Sequence, residues 1–151
     1  LASLDARNWF RAEMAALWST VDPADPLYAP YFETVNTFKS DAMPDQWTTL
    51  EFPAGSGAKL AASIGQPGCK RETGTANVVI ACKAGLETDV PVLMIAAMIA
   101  TFFMQRAQRI ASAPARDIRT LVPAPPMTPS DANGRFFSAV VGVPFELDTY
   151  E

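Results

Sequence analysis

The side chains able to do chemistry in this chain are carboxylates, arginines, lysines and two thiols; histidine is absent. That absence removes Ser-His-Asp and Cys-His catalysis and the commonest transition-metal ligand. Cys69 and Cys82 lie thirteen residues apart and form no CxxC pair, so neither a zinc site nor a redox dithiol is signalled. Cys69 stands beside Lys70 and Arg71, which could lower a thiol pKa. With no histidine or second cysteine nearby, an inert thiol is the expectation. Asp22 and Asp25 each precede a proline and read as turn formers before they read as metal ligands or acids; Asp41 and Asp45, beside Met43-Pro44, read the same way. Gly55-Ser56-Gly57 reads as a tight turn, and no phosphate-binding loop, dinucleotide fingerprint or nucleophile elbow occurs. Carboxylate or lysine chemistry remains open in principle, but no catalytic constellation forms. The chain is read as a non-enzyme with no metal and no cofactor.

Arg106, Arg109, Arg116 and Arg119 make the one basic cluster. Helix-dipole complementation and surface salt bridges are its plain reading, and contact with an acidic neighbour its functional one. Across the whole chain 16 acidic residues outnumber 12 basic ones, for a net charge of −4. This balance argues against a surface evolved to grip phosphates, because non-specific nucleic-acid binding depends on Lys and Arg.

These groups must be held by elements, and the dominant one is the stretch Glu87 to Ile110, ETDVPVLMIAAMIATFFMQRAQRI. Asp89 can cap it, Pro91 suits a first turn, and Arg106 and Arg109 would fall in its last turn. The expected element is a helix whose apolar part is short of the roughly 20 residues needed to cross a membrane. Val90, Leu93, Met94, Ala97, Met98, Thr101 and Phe102 form one apolar stripe, and Val92, Ile95, Ile99 and Phe103 a second. One stripe can cover a sheet of its own chain, which leaves the other for a second layer or a neighbouring subunit; a helix buried within one domain is the plain alternative, and the second stripe is the candidate for contact between subunits.

The remaining elements read in order. Leu4 to Val21 is an amphipathic helix capped by Ser3, with Leu4, Trp9, Phe10, Met14, Leu17 and Trp18 on its apolar side and Arg7, Arg11 and Glu13 opposite. A proline-punctuated extended segment covers about 22–45, in which the run from Leu27 to Phe38 is too apolar to hang free. Gln46 to Pro53 and Ala58 to Gly65 read as a hairpin, and Thr73 to Lys83 as a third strand of a meander, with Val78, Ile80 and Cys82 on one face. Cys69 to Glu72 is either a strand extension or a loop. Asp117 to Val122 is a short strand, Pro123 to Gly134 a mobile or partner-ordered loop with four prolines, and Arg135 to Thr149 a last strand with a bulge or edge at Gly142 and Pro144. The order α-β-β-β-α-β-β predicts an α+β fold, a single domain over residues 1–151 with a mainly antiparallel sheet and helices packed on one face. A chain of this length buries a sizeable core without staples. The opening LASLDARNWF shows no basic stretch followed by an apolar core, so no secretory signal is expected, and assembly in a cytoplasm with free thiols fits best.

The segment from Tyr31 to Lys83 resembles the siphophage tail terminator and tail completion family, which includes the terminator of lambda-like phages and related prophage proteins. The residues that carry the likeness are Phe32-Glu33-x-x-Asn36-x-Phe38, Gln46-Trp47 opening a strand, Ser63-Ile64-Gly65, Gly68 followed by Arg71-x-x-Gly74, and the strand Asn77 to Ala81. The order of elements is similar as well; the proline-rich loop departs from the family pattern.

The resemblance implies a virion structural protein that forms a hexameric ring on the tail tube, stops tube polymerisation and joins the tube to the head connector or stopper at the neck. The implied partners are further copies of the chain, the tail tube protein and the connector, with genomic DNA passing through unbound. Tyr31, Phe32, Asn36, Phe38, Trp47, Arg71, Glu72, Arg106 and Arg109 are the residues expected at subunit or tube contacts. A tail tube or head-to-tail joining subunit of similar fold is the alternative, and a small ligand-binding α+β domain or enzyme a further one.

Overall fold

A computed structural model describes residues 3–33, 45–53, 61–62, 69–83, 90–110, 115–126 and 136–150. The first helix, α1 (Leu4–Ser19), starts where Ser3 accepts the Ala6 N–H on its hydroxyl at 3.3 Å and the Arg7 N–H on its carbonyl at 3.1 Å. The hydroxyl thereby satisfies one of the orphan donors of the first turn, and the carbonyl takes the first intrahelical bond. It ends at Ser19, because the Thr20 N–H and hydroxyl both donate back to the Leu17 carbonyl, at 3.1 and 2.7 Å. Ala6, Trp9, Phe10, Glu13, Met14, Leu17 and Trp18 are its buried face. Two expectations fail here. Leu4, one turn ahead of that face, is 68% exposed, and Glu13 is buried rather than on the solvent side. Glu13 tolerates burial because Arg106 reaches it at 2.8 Å, and a buried carboxylate persists only when so paired.

Among the described residues six antiparallel strands form one sheet: β1 (Gln46–Glu51), β2 (Ala61–Ala62), β3 (Cys69–Lys83), β4 (Ala107–Ile110), β5 (Ala115–Thr120) and β6 (Phe136–Tyr150). The order is β1-β3-β6-β5-β4, with β2 also on β3. The spine is β3 against β6, paired without interruption from Cys69↔Tyr150 to Lys83↔Phe136. Cys69 to Glu72 is thus a strand extension. The expected hairpin between the first two strands does not form. β1 pairs with Asn77–Cys82 and β2 with Lys70–Arg71, so both run antiparallel to β3 along the same edge of it. β3 is long enough to template both, and hairpin partners would have to run in opposite directions.

Of the bulge or edge expected at Gly142 and Pro144, the edge is found. They sit in β6, whose register with β3 runs across them without a bulge, while on the other side strand pairing has stopped at Phe145, so β6 is locally an edge there. Pro144 is tolerated because its carbonyl, which accepts the Leu121 N–H at 2.8 Å, points towards β5, where regular pairing has stopped at Thr120↔Phe145. Its ring nitrogen faces the same side, so no ladder bond to β3 is lost.

Both helices pack on the sheet face carrying Ala76, Val78, Ile80, Cys82, Ala139, Val141, Val143, Phe145 and Leu147, all buried. Phe10 is the hub, its ring centroid 5.3 Å from Phe145, 5.6 Å from Phe103 and 5.9 Å from Phe52. Truncating such a residue to alanine costs about 3–5 kcal/mol.

The second helix, α2 (Val90–Phe103), turns Val92, Ile95, Ala96, Ile99 and Phe103 to the core at helical spacing. The stripe expected to meet another subunit is therefore the one buried within this one. The stripe with Leu93 and Met94 is the outward one, at 37% and 51% exposure.

Nor does the helix run on to Ile110. Gln105 adopts a left-handed φ of 53°, and Ala107–Ile110 continues as β4 against β5. Thr120 holds this break: its hydroxyl donates to the Phe103 carbonyl at 2.5 Å and accepts the Arg106 N–H at 2.8 Å. No described helix is long and apolar enough to cross a membrane.

Candidate interaction surface

Side chains on β4, β5, β6 and β3 that face away from the helices form a cross-strand charged row. Arg109, Asp117, Asp148 and Arg71 are register partners in sequence across the four strands. Arg71 grips Asp148 in a bidentate pair, 2.7 and 2.9 Å, and lies 3.9 Å from Glu146. The hydrogen bonds from Arg71, followed by the charges of Arg71 and Arg119, hold the Asp148 carboxyl below its ordinary value, while burial opposes them. Arg119 donates to Glu146 at 2.6 Å, and Arg109 stands 4.0 Å from Asp117. A shallow depression of about 370 Å³ lies over this row, with Tyr150 at its rim.

The four clustered arginines are thus engaged within their own chain. Arg116 pairs with Asp5 at 2.6 Å, and Arg106 pairs with Glu13 while its guanidinium lies 4.1 Å from the Phe102 ring centre. They are not in the last turn of a helix, so complementing the α2 dipole is not their role. The salt-bridge reading describes them.

On the other side of the molecule α2 presents an apolar strip to solvent. Leu93, Met94, Ala97, Thr101 and Met104 are all exposed, with Met94 at 51% and Met104 at 53%. Beside its N-terminal end opens a cleft of about 510 Å³ lined by Asp25, Pro26, Leu27, Gln46, Pro91 and Met94. Its outer wall is built by two Asx turns. Asp22 accepts the Ala24 N–H and Asp25 the Leu27 N–H, each at 2.9 Å, which gives these aspartates their turn-forming role. Trp18 stacks edge-on against Tyr28 at 5.8 Å and donates to Thr48 at 3.2 Å, and Thr48 donates to the Ala29 carbonyl at 3.1 Å, so the wall is anchored to α1 and β1. Gln46 contributes the one amide of the lining; its Oε1 is buried and receives no hydrogen bond.

The expected contact residues scatter. Tyr31 and Phe32 run parallel to β1 and close a bridge: the Thr48 N–H donates to the Pro30 carbonyl and the Phe32 N–H to the Thr48 carbonyl, at 3.0 and 2.9 Å. Part of the apolar segment therefore does pair as a strand, within the chain. Burial raises the Tyr31 phenol pKa, Arg11 opposes it and Glu33 adds to it. Trp47 is half-buried on β1, and Asn36 and Phe38 lie outside the described residues. Glu72 is buried and accepts the Ser3 N–H at 2.7 Å, an internal tie between β3 and α1. Arg71 and Arg109 share the charged row, and Arg106, itself exposed, is tied to α1 through Glu13.

Sequence reading missed the cleft, because its walls come from three separated segments and no periodicity links them. Most of the proline-rich loop, from residue 127 onward, lies outside the described residues; its first part is pinned, with Ala124 donating to the Gly142 carbonyl at 2.8 Å. Set against known proteins, the chain matches no family model and no curated protein.

Proposed function

We propose that the chain is a self-associating structural subunit of a virion: a ring-forming protein that caps a phage tail tube, stops its polymerisation and joins it to the head connector, as its resemblance to tail terminators implies. The observation that carries the self-association is the solvent-facing strip of α2, where Leu93, Met94 and Met104 are exposed in line beside an apolar cleft. Contiguous exposed apolar surface of this kind marks an interaction site. Internal pairing of Arg71, Arg106, Arg116 and Arg119 with their own carboxylates fits a bore past which DNA slides, since cations already neutralised have little to offer phosphates.

Sedimentation velocity and negative-stain microscopy of the purified full chain test this reading. Closed rings are the expected result. Long tubes would favour a tube subunit instead, and a monomer at every concentration would refute self-association.

A further inference from the structure

We propose that β4 of one copy pairs antiparallel with β4 of a second copy across a twofold axis, joining two sheets into one. The contact goes beyond the ring reading and uses a different surface, the edge of the sheet farthest from β1. Register fixes what β4 shows to solvent. The Thr120 N–H donates to the Arg106 carbonyl, so these two face each other as a hydrogen-bonded pair, and Gln108↔Ile118 and Ile110↔Arg116 follow in the same phase. Ala107 and Arg109 alternate with them, so their N–H and C=O groups point away from β5. None of these four groups has a hydrogen-bond partner among the described residues, and Ala107, Gln108 and Arg109 are exposed. The strand contains neither proline nor bulge. An unpaired row of this kind is a template for another strand.

The occupant is a second copy because the described sheet has no other open edge to offer and because β4 complements itself. At the opposite edge the Thr48 N–H and C=O, in the middle of β1, are both taken by Pro30 and Phe32 of the same chain, and β2 is two residues long. Copies therefore join edge to edge through β4 and β4, an isologous contact. One register serves it. With Gln108 opposite Gln108 of the second copy, Ala107 and Arg109 exchange N–H···O bonds with the second copy's Arg109 and Ala107, four bonds that use every outward group of both strands. Arg109 then lies opposite an alanine. Sliding the second strand by two residues one way would set Arg109 against Arg109, a like-charge pair that destabilises. Sliding it the other way would set Arg109 against Gln105, whose left-handed φ of 53° takes it out of the extended strand.

The side chains fit the same register. The Gln108 Oε1 accepts the Trp9 Nε1–H at 2.9 Å, which holds the amide in place and leaves its own N–H groups to donate to the Oε1 of the second copy. Ile110, half-buried, comes opposite Arg106 of the second copy and covers the aliphatic stem of that arginine. On the outer face Arg109 keeps its own Asp117, 4.0 Å away, so the seam buries no charge alone.

The test is Arg109→Pro in the full chain. It removes an outward N–H that makes no bond within the subunit, and proline is tolerated where an edge strand turns its N–H to solvent. Arg109→Ala is the control, since it removes the same side chain and keeps the N–H. In sedimentation equilibrium wild type should assemble in even numbers of copies, as pairs or paired rings. Arg109→Pro should raise the dissociation constant of pairing at least about 30-fold, because the axis applies each lost bond twice, and Arg109→Ala less than about 5-fold. A proline variant that pairs like wild type would overturn the β4 contact and leave association through α2 standing. Wild-type pairs that dissociate in the proline variant, with no ring formed, would support the β4 contact and remove the ring reading, whereas a wild-type monomer would remove both. If Arg109→Pro lost its far-ultraviolet circular dichroism, disulfide trapping in a Cys69→Ser background would decide, Cys82 being buried. Gln108→Cys should oxidise to a covalent pair, because the two copies of that position stand directly opposite; Ser19→Cys, exposed at the end of α1 that Trp18 ties to β1, should not. Equal trapping at the two positions, or none at 108, refutes the contact.

Discussion

Replacing Thr120 by valine should destabilise the protein out of proportion to the atoms changed. Thr120 is 3% exposed, and valine preserves its branched shape, so the packing term is small. What disappears is a hydroxyl that donates to the last carbonyl of α2, that of Phe103, and accepts the Arg106 N–H. The buried Phe103 carbonyl then loses its partner at roughly 1–3 kcal/mol, and the part-buried Arg106 N–H loses one at a smaller cost. The backbone bond from the Thr120 N–H to the Arg106 carbonyl, 2.7 Å, survives and limits the damage. The net loss is about 2–4 kcal/mol, a large fraction of the 5–15 kcal/mol that holds a typical domain together. Urea denaturation at neutral pH measures it, with Thr120→Ser, which keeps the hydroxyl, as the control expected to lose less than about 1 kcal/mol. Amide exchange at Arg106 should also quicken in the valine variant and not in the serine one. If Thr120→Val lost less than about 0.5 kcal/mol, a level ordinary surface changes reach, the assigned role in ending α2 would be wrong.

Two further outcomes follow from perturbed side chains. The Asp148 pKa is lowered from 3.8 in the folded state, so its contribution is complete above the unfolded value and is lost as pH falls through the lower folded one. Asp148→Asn should be less stable than wild type at neutral pH and converge with it in acid; urea midpoints that stay parallel across that range would contradict the Arg71 pairing. Burial pushes the Cys82 thiol up from 9.0 to about 11, so its contribution is complete below pH 9 and disappears as pH rises through 11. In a Cys69→Ser background, Cys82 should react with a thiol reagent at mildly alkaline pH only as fast as the chain unfolds. Rapid reaction of the folded protein would show the thiol to be accessible.

Much of the architecture was legible along the chain because it depends on near neighbours. Ser3 caps α1 through groups three and four residues away, Asp22 and Asp25 make turns with residues two ahead, and Val78, Ile80 and Cys82 alternate onto one face as period-two burial requires. The α+β class followed from the succession of such segments. What escaped was decided by atoms far off in sequence. The run from Glu87 to Ile110 reads as one helix with arginines in its last turn, yet Thr120, fourteen residues beyond Arg106, captures the Phe103 carbonyl and the Arg106 N–H, and the end of the run continues as β4.

The candidate site divides in the same way. Residue types alone removed histidine chemistry, and the surplus of apolar residues on α2 was visible in its composition. Which stripe of α2 faces outward could not be, because both are apolar and only docking against β3, β6 and Phe10 chooses between them. The basic cluster was read from its charges, but its partners Asp5 and Glu13 come from α1, Asp117 from β5 and Glu146 from β6. Likewise the cleft exists only where the Asp25 turn, Gln46 and the first turn of α2 converge. Local sequence determines what each segment is able to do; the long-range pairing of β3 with β6 determines which of those options coexist, because that spine sets where every other segment can lie.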